Sequence, residues 1–285
     1  MTEPDEAAGG GPAAAGDGAA GVLVVSRTLD RCGVLGPGWR AVLWVQGCPL
    51  RCRGCVAPET LPFDAGHARP VAELADWLVG LPEIEGVTLS GGEPFAQARP
   101  LVELLDEVRT RRPELSAVAY SGFRLEALRR GTPAQRALLD RLDLLIDGPY
   151  VAARHGDLLW RGSDNQRLLP LTERYAEVAD HAGAGAGIEV SLGTDNTFSW
   201  AGVPAAPGFR AHVETRLQAL GYAVRGGAAP VEPAPSARAR PAGGAGTAGA
   251  AAAPAGPAAE PVERAAERPS PSPTDEEARE GKGPL

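Results

Sequence analysis

Short apolar runs alternate with amphipathic stretches through the middle of the chain. The apolar runs predict β-strands at Val22–Val25, Ala41–Val45, Gly86–Leu89, Ala117–Tyr120, Leu144–Ile146 and Ile188–Leu192. Apolar residues at helical spacing predict helices at Val71–Val79, Leu101–Arg109, Gln135–Leu142 and Ala211–Leu220. Repeated alternation of strand and helix is typical of an α/β fold in which helices pack on a largely parallel sheet.

The two ends of the chain differ from this middle part in composition. Residues 1–20 are mostly Ala, Gly and acidic residues, and residues 226–285 are mostly Ala, Pro, Gly, Glu and Arg without an aromatic residue. Such segments bury too little apolar surface to offset the entropy cost of ordering. We therefore predict disordered tails at 1–20 and 226–285 and one folded domain at 21–225.

Charge and hydropathy narrow the choice of partners and compartment. The formal net charge is -8, and the predicted tails carry most of it, so no basic surface indicates nucleic-acid binding. No apolar stretch is long enough to span a membrane, and the acidic N-terminus lacks the order of a signal peptide. We expect no membrane association and a cytoplasmic location, where thiols stay reduced.

Four polar or glycine-rich segments directly follow predicted strands. They are Gly47–Cys55, Ser90–Pro94, Ser121–Phe123 and Asp147–Tyr150. Because the carboxyl ends of parallel strands share one edge of a sheet, and sites are built there, we expect these four segments to converge.

Three of the four cysteines fall within eight residues, at Cys48, Cys52 and Cys55. A loop this short, which contains Gly47 and Gly54, can wrap three thiolates around an iron–sulfur cluster. Such clusters usually take four Cys ligands, one for each iron. Three local ligands leave one iron open to bind a substrate, which favours catalysis over simple electron transfer.

Other interpretations of these cysteines remain open at the level of sequence. Cys52 and Cys55 are spaced like a thioredoxin-type redox pair, although this leaves Cys48 without a role. Cys32 is available as the fourth ligand of a zinc site or of a closed electron-transfer cluster. We favour the interpretation in which Cys32 is a partly buried residue without a role in the site.

The chain resembles the radical S-adenosylmethionine superfamily and, within it, the glycyl-radical-enzyme activating group that includes the activating proteins of anaerobic ribonucleotide reductase. The resemblance covers about residues 22–222 and is carried by four blocks, at Gly47–Cys55, Thr88–Pro94, Leu144–Tyr150 and Trp160–Arg167. It implies an incomplete β/α barrel of mainly parallel strands, with the cysteine loop at the C-terminal edge of the sheet.

The resemblance also implies cofactors, partners and an activity. The cofactors are a [4Fe-4S] cluster held by the three cysteines and S-adenosylmethionine bound at the open iron. One electron from a small reducing protein splits S-adenosylmethionine. The resulting radical takes a hydrogen atom from a glycine of a partner enzyme of the anaerobic ribonucleotide reductase or pyruvate formate-lyase type. The enzyme is thus expected to be an activating oxidoreductase.

Several further residues are assigned by the same resemblance. Gly91, Gly92 and Glu93 are expected to bind S-adenosylmethionine, with the Glu93 carboxylate accepting hydrogen bonds from its amino group. Ser121, in the next strand-end loop, is expected beside the methionyl group or the adenine. Asp147 fits either a turn or the site, and Trp160–Arg167 is expected to line the cofactor pocket or the groove for the partner.

Some residues depart from the family pattern and keep two rival functions open. Gly54 stands where many superfamily members have an aromatic residue before the third cysteine, and Val56-Ala57 replaces an aromatic residue followed by Asn. One rival is a radical enzyme that modifies a peptide or a small molecule. The other is a non-enzymatic iron–sulfur or zinc module that recruits partners through the tails.

Overall fold

Strands and helices fill most of the chain that the computed structural model describes, residues 17–181, 185, 187–192 and 198–221. The strands there are β1 (Val22–Cys32), β2 (Arg40–Val45), β3 (His67–Pro70), β4 (Gly86–Gly91), β5 (Ser116–Ser121), β6 (Leu144–Asp147), β7 (His155–Leu158), β8 (Arg161–Ser163), β9 (Arg167–Pro170), β10 (Ile188–Leu192) and β11 (Phe198–Gly202). The α-helices are α1 (Val71–Gly80), α2 (Ala98–Arg111), α3 (Leu125–Arg129), α4 (Pro133–Leu139) and α5 (Phe209–Ala219). Short 3₁₀ helices lie at Pro58–Thr60, Pro94–Gln97, Ala152–Arg154 and Glu173–His181.

Seven strands form one mixed sheet in the order β3-β1-β2-β4-β5-β6-β9. The central strands β2, β4, β5 and β6 are parallel, and helices connect β4 to β5 and β5 to β6. Strands β1, β3 and β9 pair antiparallel to their neighbours at the two sides. Strands β7 and β8 form one separate antiparallel pair, and β10 and β11 form another. The carboxyl ends of the four central strands therefore lie at one edge of the sheet.

Helices α1, α2 and α4 cover one face of this sheet. Helix α2 turns Leu101, Leu104, Leu105 and Val108 inward, at the spacing of three and four residues that places side chains on one face. Each of these side chains is almost completely buried, and such burial contributes about 1.5–3 kcal/mol for a Leu. Helix α4 begins with a capping box formed by Thr132 and Gln135.

The opposite face of the sheet is covered by residues that follow β9 in the chain. Val42 and Trp44 of β2 pack there with Ala201 and Val203, at the end of β11. The 3₁₀ segment that contains Tyr175 packs against the same face at β5 and β6. Both faces of β2 are covered, and every residue of that strand is buried, as expected for a central parallel strand.

Each predicted strand and helix is present at the predicted place, with bounds that differ by a few residues at most ends. The expectation of mainly parallel pairing is correct for the four central strands only, because the strands on either side pair antiparallel. β1 extends to Cys32, well beyond the predicted Val25, because it pairs along most of β2. The incomplete barrel stays a prediction.

The folded domain begins before the predicted boundary at residue 21. The carbonyl oxygen of Asp17 accepts a hydrogen bond from the N–H of Arg99 at 2.9 Å, so the last residues of the predicted N-terminal tail contact α2. The rest of that tail and the C-terminal tail lie outside the described residues. Within the described ranges, no helix has both the length and the apolar character needed to cross a membrane.

Candidate iron–sulfur site

The cysteine loop leaves the carboxyl end of β2 at Gly47. The N–H of Gly47 donates to the carbonyl oxygen of Thr60 at 2.8 Å, and the N–H of Cys48 donates to that of Leu61 at 3.0 Å. Gly47 has a φ of +92° and Gly54 has a φ of +76°, a region in which glycine carries no steric penalty. The loop is thus pinned to the returning chain at its start and turns sharply before the third cysteine.

All three cysteines of this loop have free thiols, with Cys48 buried and Cys52 and Cys55 half-buried. Burial raises the pKa of all three thiols, that of Cys48 to about 11. Nearby backbone N–H groups lower the pKa and oppose this effect: those of Leu50 and Arg51 act on Cys48, those of Tyr150 and Cys52 itself on Cys52, and that of Ala57 on Cys55. The same N–H groups would stabilise thiolates once a metal centre displaces the protons.

The donor set fits a cubane cluster. The Cys52 thiol contributes to the raised pKa of both Cys48 and Cys55, so the three thiols lie near one another. A cubane takes one thiolate for each iron, so its ligands need not meet at a single point. In the described part of the chain, no three His, Cys, Asp or Glu side chains converge closely enough to hold one metal ion. Cys48, Cys52 and Cys55 are therefore compatible with a cluster, and their assignment as its ligands stays a prediction.

Cys32 lies at the opposite end of the sheet from the cysteine loop. It pairs with Arg40 at the start of β2, whereas the loop follows Val45 at the end of that strand. At about 3.3 Å per residue, the length of β2 alone separates the two places by about 16 Å. Cys32 is completely buried among apolar side chains that include Val42 and Trp44. A fourth ligand from Cys32 is incompatible with this placement.

Gly91 and Gly92 carry the end of β4 past the cysteine loop at very close range. A Cβ atom on Gly92 would lie 2.2 Å from the carbonyl oxygen of Gly47, and one on Gly91 would lie 2.5 Å from that of Val45. The N–H of Gly92 donates to Val45 at 2.8 Å, and the N–H of Glu93 donates to Gly47 at 2.9 Å. The glycines are thus required by contact with the cysteine loop itself.

Glu93 joins the β4 loop to the β5 loop through a buried carboxylate. The side chain is 1% exposed, and its Oε1 accepts from the N–H of Phe95 and the hydroxyl of Ser121, both at 3.0 Å. Its Oε2 accepts from the N–H of Gly122 at 2.8 Å. Burial raises the pKa of Glu93 to about 7, although the three hydrogen bonds act in the opposite direction.

The Glu93 carboxylate already has three protein donors, where we expected it to accept hydrogen bonds from a bound amino group. Ser121 is likewise buried, and its hydroxyl donates to Glu93 and accepts from the N–H of Phe123 at 3.0 Å. Both side chains therefore connect strand-end loops in this structure. Their assignment to S-adenosylmethionine stays a prediction.

Asp147, at the end of β6, is held in a network of charges. Its carboxylate is completely buried and accepts from the N–H of Leu125 at 2.7 Å and from Nε of Arg167 at 2.8 Å. Arg167 also pairs with Glu126 at 2.9 Å, and these two carboxylates raise the pKa of its guanidinium. Asp147 thus fixes the start of α3 and the start of β9. This is a larger structural role than the turn that its sequence context indicates.

The Trp160–Arg167 block folds back onto the loop that follows β6. The side-chain amide of Asn165 donates to the carbonyl oxygen of Pro149 at 2.7 Å, and that of Gln166 donates to Gly148 at 3.0 Å. These bonds fix the path of Tyr150, whose N–H faces Cys52. The block therefore holds the loop after β6 in place, and that loop in turn contacts the cysteine loop at Cys52.

Neighbouring loops are bonded to one another around the site. Gly47 is linked to Glu93, Glu93 to Gly122, and the carbonyl oxygen of Ser121 to the N–H of Gly148 at 2.9 Å. The predicted convergence of the four strand-end segments is therefore confirmed.

A cavity of about 290 Å³ beside Cys55 combines Tyr150, from a predicted strand-end segment, with residues that the sequence did not single out, such as His155 and Arg210. Tyr150 and His155 line it, with the Tyr150 hydroxyl 3.0 Å from Nδ1 of His155 and their rings edge to face. The segment from Pro204 to Glu214 forms its other wall, and Arg210 there pairs with Glu59. No spacing pattern in the sequence connects these residues, because the contacts join distant parts of the chain.

Comparisons with known proteins agree with this site. Residues 34–169 match the family described as a 4Fe-4S single cluster domain. The anaerobic ribonucleoside-triphosphate reductase-activating protein of Enterobacteria phage T4 is 37% identical over 145 residues, which are 49% of this chain and 89% of that protein. The proteins of the same name from Vibrio cholerae and Escherichia coli are 33% and 30% identical, over 92% and 89% of their lengths.

These comparisons confirm the [4Fe-4S] cluster and S-adenosylmethionine as cofactors and an activating oxidoreductase as the class of enzyme. The family model ends at residue 169, so β10, β11 and α5 lie outside it. The four loops that meet around the cysteines lie within it. This chain belongs to the family of anaerobic ribonucleoside-triphosphate reductase-activating proteins.

Proposed function

We propose that this protein generates a glycyl radical on a partner enzyme of the anaerobic ribonucleotide reductase class. Cys48, Cys52 and Cys55 hold the cluster, and S-adenosylmethionine binds at the iron that has no protein thiolate. A bound cluster would supply the electron that splits S-adenosylmethionine into methionine and a radical able to take a hydrogen atom from a glycine. The electron comes from a small reducing protein, and the reaction takes place in the cytoplasm.

One observation carries the proposal: three thiols share a loop at the functional edge of the sheet, while Cys32 lies at the other end. Three ligands leave one iron open, which radical cleavage of S-adenosylmethionine needs and a closed four-cysteine centre lacks. The names of the relatives supply the substrate class, because each is an activating protein of a ribonucleoside-triphosphate reductase.

The other residues of the edge position the cofactors. Gly91 and Gly92 let the end of β4 pack directly against the backbone of Val45 and Gly47, which holds the β4 loop beside the cysteine loop. Glu93 and Ser121 hold the β4 and β5 loops together under that backbone. We include all four residues in the S-adenosylmethionine site, with Glu93 acting through the loops that it joins.

Anaerobic reconstitution tests the proposal. The full chain is loaded with iron and sulfide, reduced with dithionite and mixed with S-adenosylmethionine, and 5′-deoxyadenosine and methionine are measured. Addition of an anaerobic ribonucleotide reductase is then expected to produce a glycyl-radical signal in electron paramagnetic resonance. Cys52→Ser should abolish both results, and Cys32→Ala should abolish neither.

Absence of 5′-deoxyadenosine from the fully loaded protein would refute the radical chemistry. Formation of 5′-deoxyadenosine without a glycyl radical on the reductase would refute the proposed partner alone. It would then favour a dedicated peptide or small molecule as substrate. The cavity beside Cys55, which the segment from Pro204 to Glu214 closes on one side, supports that alternative.

A further inference from the structure

The outer side of the cysteine loop is basic and exposed. Arg51 and Arg53 flank Cys52, and both are exposed, whereas Cys52 itself is half-buried. Among the described residues, neither arginine takes part in an ion pair or a side-chain hydrogen bond. Phe63 lies over Gly47, at the start of the same loop, where a Cβ atom would come within 2.5 Å of its ring, and it is 55% exposed. We call Arg51, Arg53 and Phe63 the loop face.

Acidic residues of the segments around the cysteine loop form ion pairs with other arginines or are buried. Glu59 forms an ion pair with Arg210, and Asp164 forms an ion pair with Arg154. Glu93 is buried beneath the loop. Asp64 is exposed and directly follows Phe63 in the chain. The loop face therefore carries two unpaired cations against one carboxylate.

This local charge has the opposite sign to that of the whole protein. The chain carries a net charge of -8, most of it in the predicted tails, so the protein as a whole repels an acidic partner at long range. A basic face on such a body attracts the partner at one place only and so orients its approach. An exposed aromatic ring next to that face supplies an apolar contact of the kind that anchors interfaces.

The position of the loop face indicates which partner it serves. Arg51 and Arg53 are the immediate sequence neighbours of Cys52, a predicted cluster ligand, so a protein that contacts both arginines comes close to the metal centre. The loops after β4, β5 and β6 adjoin the cysteine loop from the sheet, and the proposed cofactor residues lie there. A protein that contacts the loop face therefore approaches the metal centre through the cysteine loop, which suits the delivery of electrons.

We propose that the loop face docks a small acidic redox protein that gives up one electron, which the cluster of this protein accepts. The inference rests on the proposed function, because a docked donor has a purpose only if the loop holds a cluster. It adds the surface, Arg51, Arg53 and Phe63, and the chemical class of the donor.

The test uses reconstituted full-length protein and a ferredoxin of strongly negative surface charge. Its Kd is measured by titration calorimetry from low to high salt, and the rate of cluster reduction is followed by absorbance. We expect Arg51→Glu with Arg53→Glu to weaken binding about tenfold or more and to remove most of the salt dependence. Phe63→Ala should weaken binding and leave the salt dependence in place.

Matched variants control for overall charge and for folding. Arg31→Glu with Arg174→Glu makes the same charge change at the opposite end of the sheet, where Cys32 meets Arg40 and Tyr175 contacts Arg40. This pair should bind the ferredoxin nearly as the wild type does. Arg51→Lys with Arg53→Lys keeps the charge and should retain most of the affinity.

The results separate this inference from the proposed function. Reduction by dithionite needs no docking, so the ratio of ferredoxin-driven to dithionite-driven reduction should fall in the charge-reversed loop variant only. An unchanged ratio, an unchanged Kd or a salt-independent wild-type Kd would overturn the inference. An unchanged ratio with slower activation of the reductase would assign the loop face to the target enzyme. Failure of dithionite and S-adenosylmethionine to give 5′-deoxyadenosine would instead refute the proposed function.

Discussion

Replacement of Glu93 by Gln tests whether the buried carboxyl joins the loops as described. The pKa of Glu93 is raised by burial to about 7 from the usual value of 4.5. Between these two pH values the folded protein holds a proton that the unfolded chain has lost. The contribution of Glu93 to the free energy of unfolding is therefore fully present below pH 4.5 and is lost as the pH rises through 7. The total loss is about 3 kcal/mol.

The amide of Gln cannot change its charge, so the Glu93→Gln variant lacks this pH dependence. Its NH₂ group also replaces one of the two carboxylate oxygens that accept hydrogen bonds. A donor such as the Gly122 N–H is then left without a partner, which lowers the free energy of unfolding by about 1–3 kcal/mol. We expect the variant to be less stable than the wild type at pH 5. From pH 5 to pH 8 the wild type should lose about 2–3 kcal/mol relative to the variant.

Urea unfolding of the metal-free protein under reducing conditions, at half-unit steps of pH, measures both effects. Ser121→Ala is the matched control, because it removes one hydrogen bond to Glu93 and leaves the carboxyl in place. It should lower the free energy of unfolding by about 1 kcal/mol and keep the pH dependence. A difference between wild type and Glu93→Gln that is constant from pH 5 to pH 8 would refute the reasoning.

Three further predictions follow from contacts elsewhere in the fold. Cys48→Ala should lose most of its iron after reconstitution, whereas Cys32→Ala should bind as much iron as the wild type, and equal iron loss in both would contradict the separation of the two cysteines. Gly92→Ala should lower the free energy of unfolding by about 1–3 kcal/mol, because its Cβ would lie 2.2 Å from the Gly47 carbonyl oxygen; unchanged urea unfolding would show that the two loops are not in contact. Arg40→Met should cost about 3 kcal/mol or more in the same measurement, because a completely buried guanidinium donates to hydroxyl and carbonyl groups of β4 and β5 that would lose their donors. A loss below about 1 kcal/mol would mean that water satisfies those groups.

The sequence alone determined the features that depend on neighbours along the chain. The spacing of Cys48, Cys52 and Cys55 brings three thiols into one short loop whatever surrounds it. Apolar runs and helical spacing located the central strands and the main helices, because burial on a sheet or on a helix face imposes those periods. The convergence of the strand-end loops followed from parallel pairing, and contacts from Gly47 to Glu93 and from there to Gly122 confirm it.

The tertiary structure decided what depends on residues distant in sequence. It paired Cys32 with Arg40, far from the cysteine loop, and it surrounded the Glu93 carboxylate with three protein donors. It also brought Tyr150 to Cys52 and placed strands antiparallel at both sides of the sheet. A carboxylate or a thiol has the same chemistry in any sequence context, but its partners and its pKa depend on which segments pack around it, and packing is fixed only when the chain folds.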